Sequence, residues 1–252
     1  MNVLRSEWTK LRSVRSTWIA ALSTVGSGAA LSALGAGDLL GTPPSERPAG
    51  WDPTATSLQG FLFAQLVIGM LGALSVTSEY DTGMIGTTLA AVPSRSRLFT
   101  AKTAVVAAIA FVTGLGTTLV SFTAVQAMIS GAGLPAAGIA DPGVAGALVA
   151  ATLYLTLIAL IGAAVGTLAR SAAGSLAVLV GVLLLVPALG PGLPGALGDW
   201  FARYWPITAG QAAYTVAPVE GMVAPGLGLG ILAVAAAGVG IAGHTALCAR
   251  DV

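Results

Sequence analysis

The side chains that could perform catalysis are few in this chain, and their spacing forms no recognisable catalytic motif. His244 is the only histidine and Cys248 the only cysteine, so the chain can form no internal disulfide, and Cys248 lacks the partners of a metal site. Intramembrane proteolysis would need a serine in a glycine setting, such as Ser27, together with a histidine. The sequence around Ser27 lacks the complete pattern. We therefore interpret His244 as an interfacial residue and keep an intramembrane enzyme as an alternative.

Nucleotide hydrolysis is not encoded in its usual form either. A phosphate-binding loop has the pattern GxxxxGK[ST], and neither Lys10 nor Lys102, the only two lysines, follows such glycines. We therefore expect the chain to be no enzyme, to bind no cofactor and to leave ATP hydrolysis to another polypeptide. The net charge of +1 gives no reason to expect a nucleic-acid partner.

The elements that would position any functional residue must lie in a membrane. The chain is 56% hydrophobic and only 8% charged, with a mean hydropathy of +0.89, whereas soluble domains have about 25% charged residues. About 20 apolar residues in a helix cross roughly 30 Å of hydrocarbon, and six stretches qualify. The fold class is therefore all-α, a polytopic membrane protein with one transmembrane domain over residues 1–252. The six predicted spans are residues 17–36, 58–77, 103–130, 144–168, 172–189 and 226–247.

The basic residues predict the orientation of these spans, because cytoplasmic loops are enriched in lysine and arginine. With six spans, nine basic residues fall on one side, and only Arg47 and Arg203 fall on the other, together with most acidic residues. We therefore expect both termini to be cytoplasmic and the first span to be an uncleaved anchor rather than a signal peptide. The nine residues are Arg5, Lys10, Arg12, Arg15, Arg95, Arg97, Lys102, Arg170 and Arg250.

Two segments outside the spans have helical patterns. In residues 1–16, Leu4, Trp8 and Leu11 recur at helical spacing with arginines on a flank, which predicts an amphipathic helix lying on the membrane surface among anionic lipids. A plain basic anchor is the alternative. In the outer segment 190–225, an aromatic run predicts a short interfacial or re-entrant helix over residues 195–204, with a simple surface loop as the alternative.

The loop of residues 78–102 is the only sizeable one on the predicted cytoplasmic side. Pro93 should end a short helix that includes residues 87–91, because the residue before a proline avoids the α-helical conformation. Acidic residues, Glu79 and Asp81, precede this helix and basic residues follow it, in agreement with the helix dipole. A cytoplasmic partner has few other places to bind, although a plain connecting loop would also fit.

Polar and small residues within the spans predict how the helices pack. Gln65 and Gln126 could line a substrate pathway, but we interpret them as donors and acceptors of hydrogen bonds between helices. Small residues four positions apart allow helices to approach closely. They occur at Gly162 and Gly166, at Gly69 and Ala73, and at Gly226 and Gly230.

Three segments resemble one family, the type-2 ABC transporter permeases of the kind common in actinobacteria. EWTKLRSVRSTW is similar to the elbow helix that leads into the first span, SEYDTGMIGTTLAAVPSRSRLFTAK to the coupling loop that contacts the ATPase, and YWPITAGQAAYTV to the segment before the last span. The resemblance covers the whole chain in order and spacing. It implies that the ATPase contact involves residues of the coupling loop, namely Glu79, Tyr80, Asp81, Thr87, Thr88, Leu89, Val92, Pro93, Arg95 and Arg97.

The resemblance also implies a function. The chain would be the permease subunit of an exporter in a bacterial cell membrane, paired with a second permease, identical or related, and with separate ABC ATP-binding subunits that use ATP. The lack of charge at mid-membrane depth suggests an apolar or amphipathic substrate. A scaffold, immunity or sensing subunit that binds an ATPase without transport is the alternative function.

Overall fold

The computed structural model describes residues 3–43, 51–217 and 221–249, and these residues form helices and no strand. Short turns of other helix types interrupt the α-helices at Gly181–Leu185 (a π-helix), at Gly190–Gly192 and at Ala212–Tyr214 (3₁₀ helices). The α-helices are α1 (Val3–Ser13), α2 (Arg15–Gly41), α3 (Pro53–Ser57), α4 (Phe61–Asp81), α5 (Met84–Ala91), α6 (Arg95–Gly131), α7 (Val144–Ala169), α8 (Ala172–Val180), α9 (Val186–Leu189), α10 (Ala196–Tyr204), α11 (Pro206–Gln211) and α12 (Pro225–Ala249).

Six helical segments of the described chain are long and apolar enough to cross a membrane, which confirms the predicted all-α, six-span fold. They are α2, α4, α6, α7, the segment Ala172–Gly192 that contains α8 and α9, and α12. The helix of the third span starts at Arg95 rather than near residue 103, because Pro93 and the N-capping Ser94 set its beginning. With 37 residues, α6 is about 55 Å long and extends beyond a hydrocarbon core of about 30 Å.

The core is built around α7, which packs against α4, α6, α8 and α12. Large side chains of α7, among them Tyr154 and Ile158, are fully buried. The approach of α7 to α4 depends on glycine: a Cβ atom added to Gly162 would lie 1.9 Å from the carbonyl oxygen of Gly69. The small-residue pairs predicted on these two helices are thus confirmed as packing sites.

The small-residue pair on the last span, Gly226 and Gly230, makes no such close contact. A Cβ atom added at Gly226 or Gly230 meets nothing within 4 Å in the described part of the chain. The prediction of tight packing at this pair is therefore wrong for contacts within the chain. The buried side of α12 instead contains Gly228 and Leu232.

One end of the bundle collects the basic residues, and we call it the basic end. It consists of α1, α5, the first residues of α2 and α6, and the last residues of α4, α7 and α12. Arg203 lies away from it on α10. The sidedness of this end relative to the cytoplasm stays a prediction, and Glu46, Arg47, Glu220 and Arg250, used in the charge argument, lie outside the described residues.

The opposite end contains residues 51–60 and 205–217, which we call the outer segments after their predicted side of the membrane. The Asp52 carboxylate accepts hydrogen bonds from the backbone N–H groups of Thr54 and Ala55 through Oδ1, and through Oδ2 from those of Val216 and Ala217, at 2.7–3.1 Å. Asp52 therefore caps α3 and holds the two outer segments together. The short helix predicted over residues 195–204 is confirmed as α10.

Candidate functional site

A sharp turn at the basic end separates the second span from the short helix α5. Gly83 joins the two helices with a φ of +68°, a left-handed conformation that glycine adopts without strain. The helix ends at Ala91, two residues before Pro93, as the sequence predicted. On α5, Ile85 is buried towards the bundle, while Met84, Gly86 and Thr87 are exposed. The helix thus has one attached face and one free face.

Four charged side chains meet behind the attached face of α5, and we call them the charge cluster: Glu7, Lys10, Glu79 and Lys102. Lys102 Nζ lies 2.7 Å from Glu7 Oε2 and 2.7 Å from Glu79 Oε1. Lys10 Nζ lies 2.8 Å from Glu7 Oε1 and 3.1 Å from the same Glu79 oxygen. Each lysine therefore bridges both carboxylates, and two positive charges balance two negative charges.

The charge cluster is mostly removed from solvent. Glu7 is 1% exposed, Glu79 7% and Lys102 6%, while the Lys10 side chain is 30% exposed. Such burial is costly for single charges, and mutual pairing with further hydrogen bonds offsets the cost. One such bond runs from Lys102 Nζ to the carbonyl oxygen of Ser75, at 3.1 Å.

The surroundings shift the pKa values of the two members on α1. Burial by itself would raise the pKa of Glu7, but the charge of Lys102 and the hydrogen bonds from Lys10 and Lys102 outweigh burial and lower it. For Lys10, burial would lower the pKa, but Glu7 and Glu79 together raise it. Both groups are therefore held in their charged forms at neutral pH.

The charge cluster connects three helices and contacts a fourth. Glu7 and Lys10 come from α1, Glu79 from the last turn of α4, and Lys102 from the first turns of α6. Lys10 Nζ also donates to Thr88 Oγ1 of α5, at 3.4 Å. Through this bond α5 contacts α1 directly and, through the cluster, the second and third spans.

The residues predicted for the ATPase contact occupy three kinds of position. Glu79 is buried in the charge cluster. Arg95 donates hydrogen bonds to the carbonyl oxygens of Leu247, at 2.8 Å, and of Cys248, at the end of α12. Tyr80 lies under the Arg170 guanidinium, 5.2 Å from the ring centroid. Three further residues of this predicted set are half-buried: Thr88, Leu89 and Val92. The other four are exposed: Asp81, Thr87, Pro93 and Arg97.

Both glutamines proposed for a pathway make hydrogen bonds between helices. Gln65 is fully buried, donates to the carbonyl oxygen of Leu183 at 3.3 Å and accepts from the Tyr154 hydroxyl. Gln126 donates to Ser57 Oγ and to the Pro53 carbonyl oxygen, each at 3.0 Å. These contacts agree with the packing interpretation.

Sequence reasoning missed the charge cluster. It counted Lys10 and Lys102 only as basic residues that orient the spans, and it gave Glu7 no role. The three-residue spacing of Glu7 and Lys10 signals a pair on one helix face, but nothing in the spacing shows that Glu79 and Lys102 complete it. In the described part of the chain, no group of three or more His, Cys, Asp or Glu side chains could hold a metal ion.

Comparison with family models assigns most of the chain to a family. The family model described as ABC-2 family transporter protein matches residues 3–187, which include α1, the charge cluster, α5 and the first four spans. No curated protein and no solved structure matches the chain.

Proposed function

Because the chain belongs to the ABC-2 family of transporter proteins, we propose that it is the permease subunit of an ATP-driven exporter. The chain itself lines the substrate pathway as one of two permease copies or related permeases. Separate ABC ATP-binding subunits bind and hydrolyse ATP, and this chain holds no cofactor. The observation that carries the proposal is the arrangement of α5, free on one face and attached on the other to the charge cluster.

The free face of α5 supports docking of the ATP-binding subunit. Met84 is 48% exposed, and Gly86 and Thr87 beside it are exposed as well. An uncharged face of this kind suits a groove on a protein partner. Asp81 and Arg97 are exposed before and after the helix and add one charge of each sign at the edge of the contact.

The attached face supports transmission of movement. When ATP closes the pair of ATP-binding subunits, α5 moves with them, and Lys10 and the charge cluster pass the displacement to α1, α4 and α6. The pathway then alternates between inward and outward access, with ATP favouring one of the two states. The buried pairs keep α1, α4 and α6 moving together because opening the cluster would leave unpaired charges.

Substrate class and location follow from the distribution of charge. The buried charged side chains of the described residues are Glu7, Glu79 and Lys102, all at the basic end, and none lies near the middle of a span. Ion- or proton-coupled transport normally needs such a group. We therefore propose an apolar or amphipathic substrate, a bacterial cell membrane as the location, and a basic end that faces the cytoplasm.

The test is affinity purification of the tagged full-length chain from its own membranes, with ATP hydrolysis of the purified sample as the readout. We expect a second polypeptide with a phosphate-binding loop, and an activity that Thr87→Glu lowers at least tenfold. Ser130→Glu is the matched control, because Ser130 is an equally exposed hydroxyl residue at the opposite end of α6. If Thr87→Glu retains the ATPase as well as Ser130→Glu does, α5 is not the docking site. If the wild-type chain brings down no ATPase, the proposed function is wrong.

A further inference from the structure

A groove on the outside of the bundle opens where α1 meets the first and third spans. Its volume is about 320 Å³, within the range of small-molecule sites. Six of the residues that line it are Trp8 and Arg12 of α1, Trp18 and Ala21 of α2, and Ala108 and Val112 of α6. Because α2 and α6 enter the apolar part of their sequences here, the groove lies at the boundary between headgroups and hydrocarbon.

The two indole rings give the groove its shape. Trp18 Nε1 donates to the carbonyl oxygen of Arg12 at 2.8 Å, which fixes this ring across the break between α1 and α2. Trp8 and Trp18 are 41% and 54% exposed, and Val112 is 68% exposed. Such apolar surface at a membrane boundary is suited to a hydrocarbon chain, and indole rings favour this depth of the bilayer.

The mouth of the groove is positively charged. Arg12 lines the groove. Arg5 does not line it, but by the helical repeat it lies two turns before Arg12 on the same side of α1, about 10 Å away along the helix. Both arginines are exposed, and neither guanidinium makes an ion pair within the described part of the chain. The carboxylate nearest in sequence, Glu7, is turned inward and committed to the two lysines of the charge cluster.

We propose that this groove is a binding site for one anionic phospholipid. One acyl chain lies along Ala21, Ala108 and Val112, and the phosphate binds Arg12, whose guanidinium can donate to two phosphate oxygens at once. Arg5, two turns before Arg12, adds a second positive charge near the headgroup. Of the groups in a bilayer, an anionic phospholipid matches both the apolar floor and the unpaired positive charge of the mouth. The site belongs to this chain alone and does not depend on transport or on an ATP-binding subunit.

The test is lipid retention by the purified full-length chain. The protein is placed in nanodiscs that contain equal amounts of phosphatidylglycerol and phosphatidylcholine. It is then released from the nanodiscs, and the mass of the protein with its bound lipids is measured by native mass spectrometry. The wild-type chain should retain one phosphatidylglycerol in preference to phosphatidylcholine. Arg5→Gln and Arg12→Gln should each lower that retention about fivefold, since each arginine near an anionic headgroup contributes about that factor. Arg203→Gln, which removes a positive charge from α10, should leave it unchanged.

A second pair of variants tests the apolar floor. Ala108→Phe fills the groove without changing its charge and should abolish retention of the bound lipid, whereas Ala30→Phe, at an exposed alanine of α2 outside the groove, should not. The proposal is overturned if Ala108→Phe and the two arginine variants retain phosphatidylglycerol as the wild type does. Equal retention of both lipids by the wild type would also overturn it, because the arginines would then have no role.

Discussion

Replacing Glu79 by glutamine should destabilise the folded chain by about 3–5 kcal/mol, the range seen when one partner of a buried ion pair is removed. The Glu79 Oε1 atom accepts from Lys102 at 2.7 Å and from Lys10 at 3.1 Å. Hydrogen bonds to charged groups contribute about 1.5–3 kcal/mol each, so two of them give a loss of the same size. The glutamine also leaves the charge cluster with an excess positive charge next to Lys102, which is 6% exposed.

A second substitution separates charge imbalance from loss of packing. Lys102→Met alone leaves an excess negative charge and should be as destabilising as Glu79→Gln. The double variant is neutral again, because Glu7 and Lys10 remain as a pair at 2.8 Å. We expect it to be more stable than the sum of the two single losses predicts, with a coupling energy of about 2–3 kcal/mol, at the upper end for residues in contact.

The measurement is the free energy of unfolding of the four proteins of this cycle, purified in one detergent and unfolded with denaturant under reversible conditions. A coupling energy close to zero would refute the reasoning, since Glu79 and Lys102 would then not act as a unit. If the proposed function is right, the two single variants should also lose ATP-driven transport, because the cluster joins α5 to the spans.

Two further predictions concern stability. The contribution of Glu7 is present above its ordinary pKa of 4.5 and is lost as pH falls through its lowered pKa, whereas that of Lys10 is present below 10.5 and is lost as pH rises through its raised pKa. The melting temperature should therefore be nearly constant between about pH 5 and pH 10 and should fall on both sides of this range. In Glu7→Gln the decrease below about pH 5 should be smaller than in the wild type. An equal decrease in that variant would contradict this prediction. Gly162→Ala should cost several kcal/mol in the same assay because its Cβ atom would meet the Gly69 carbonyl oxygen at 1.9 Å. Gly238→Ala, where nothing lies within 4 Å, should be neutral or stabilising by up to about 1 kcal/mol; equal losses would mean that the close approach of α4 and α7 is not real.

The sequence was sufficient for the six spans and for α1, α5 and α10, because each depends on neighbouring residues, whereas the short helices α3 and α11 were not predicted. Six apolar stretches predict six spans, Pro93 predicts the end of α5, and the aromatic run of the outer segment predicts α10. The glutamine contacts were also predictable in kind, since a buried amide in a span needs a hydrogen-bond partner. Their partners, such as Tyr154 for Gln65, were not.

The charge cluster could not be predicted, because its members meet only in the folded chain. Glu7 and Lys102 are 95 positions apart, and Lys10 and Glu79 are 69 apart. Counting basic residues assigns a side to each lysine but no contact. The same holds for Arg95, whose partners on α12 lie 152 and 153 positions further along the chain.

The placement of both lysines in one cluster has a practical consequence. Apart from the N-terminal amine, the primary amines of the chain are those of Lys10 and Lys102, and their side chains are 30% and 7% exposed. A reagent that acylates amines should modify Lys10 readily and Lys102 only when α1 lifts away. The ratio of the two modified peptides therefore measures, without any engineered label, how often α1 separates from the bundle.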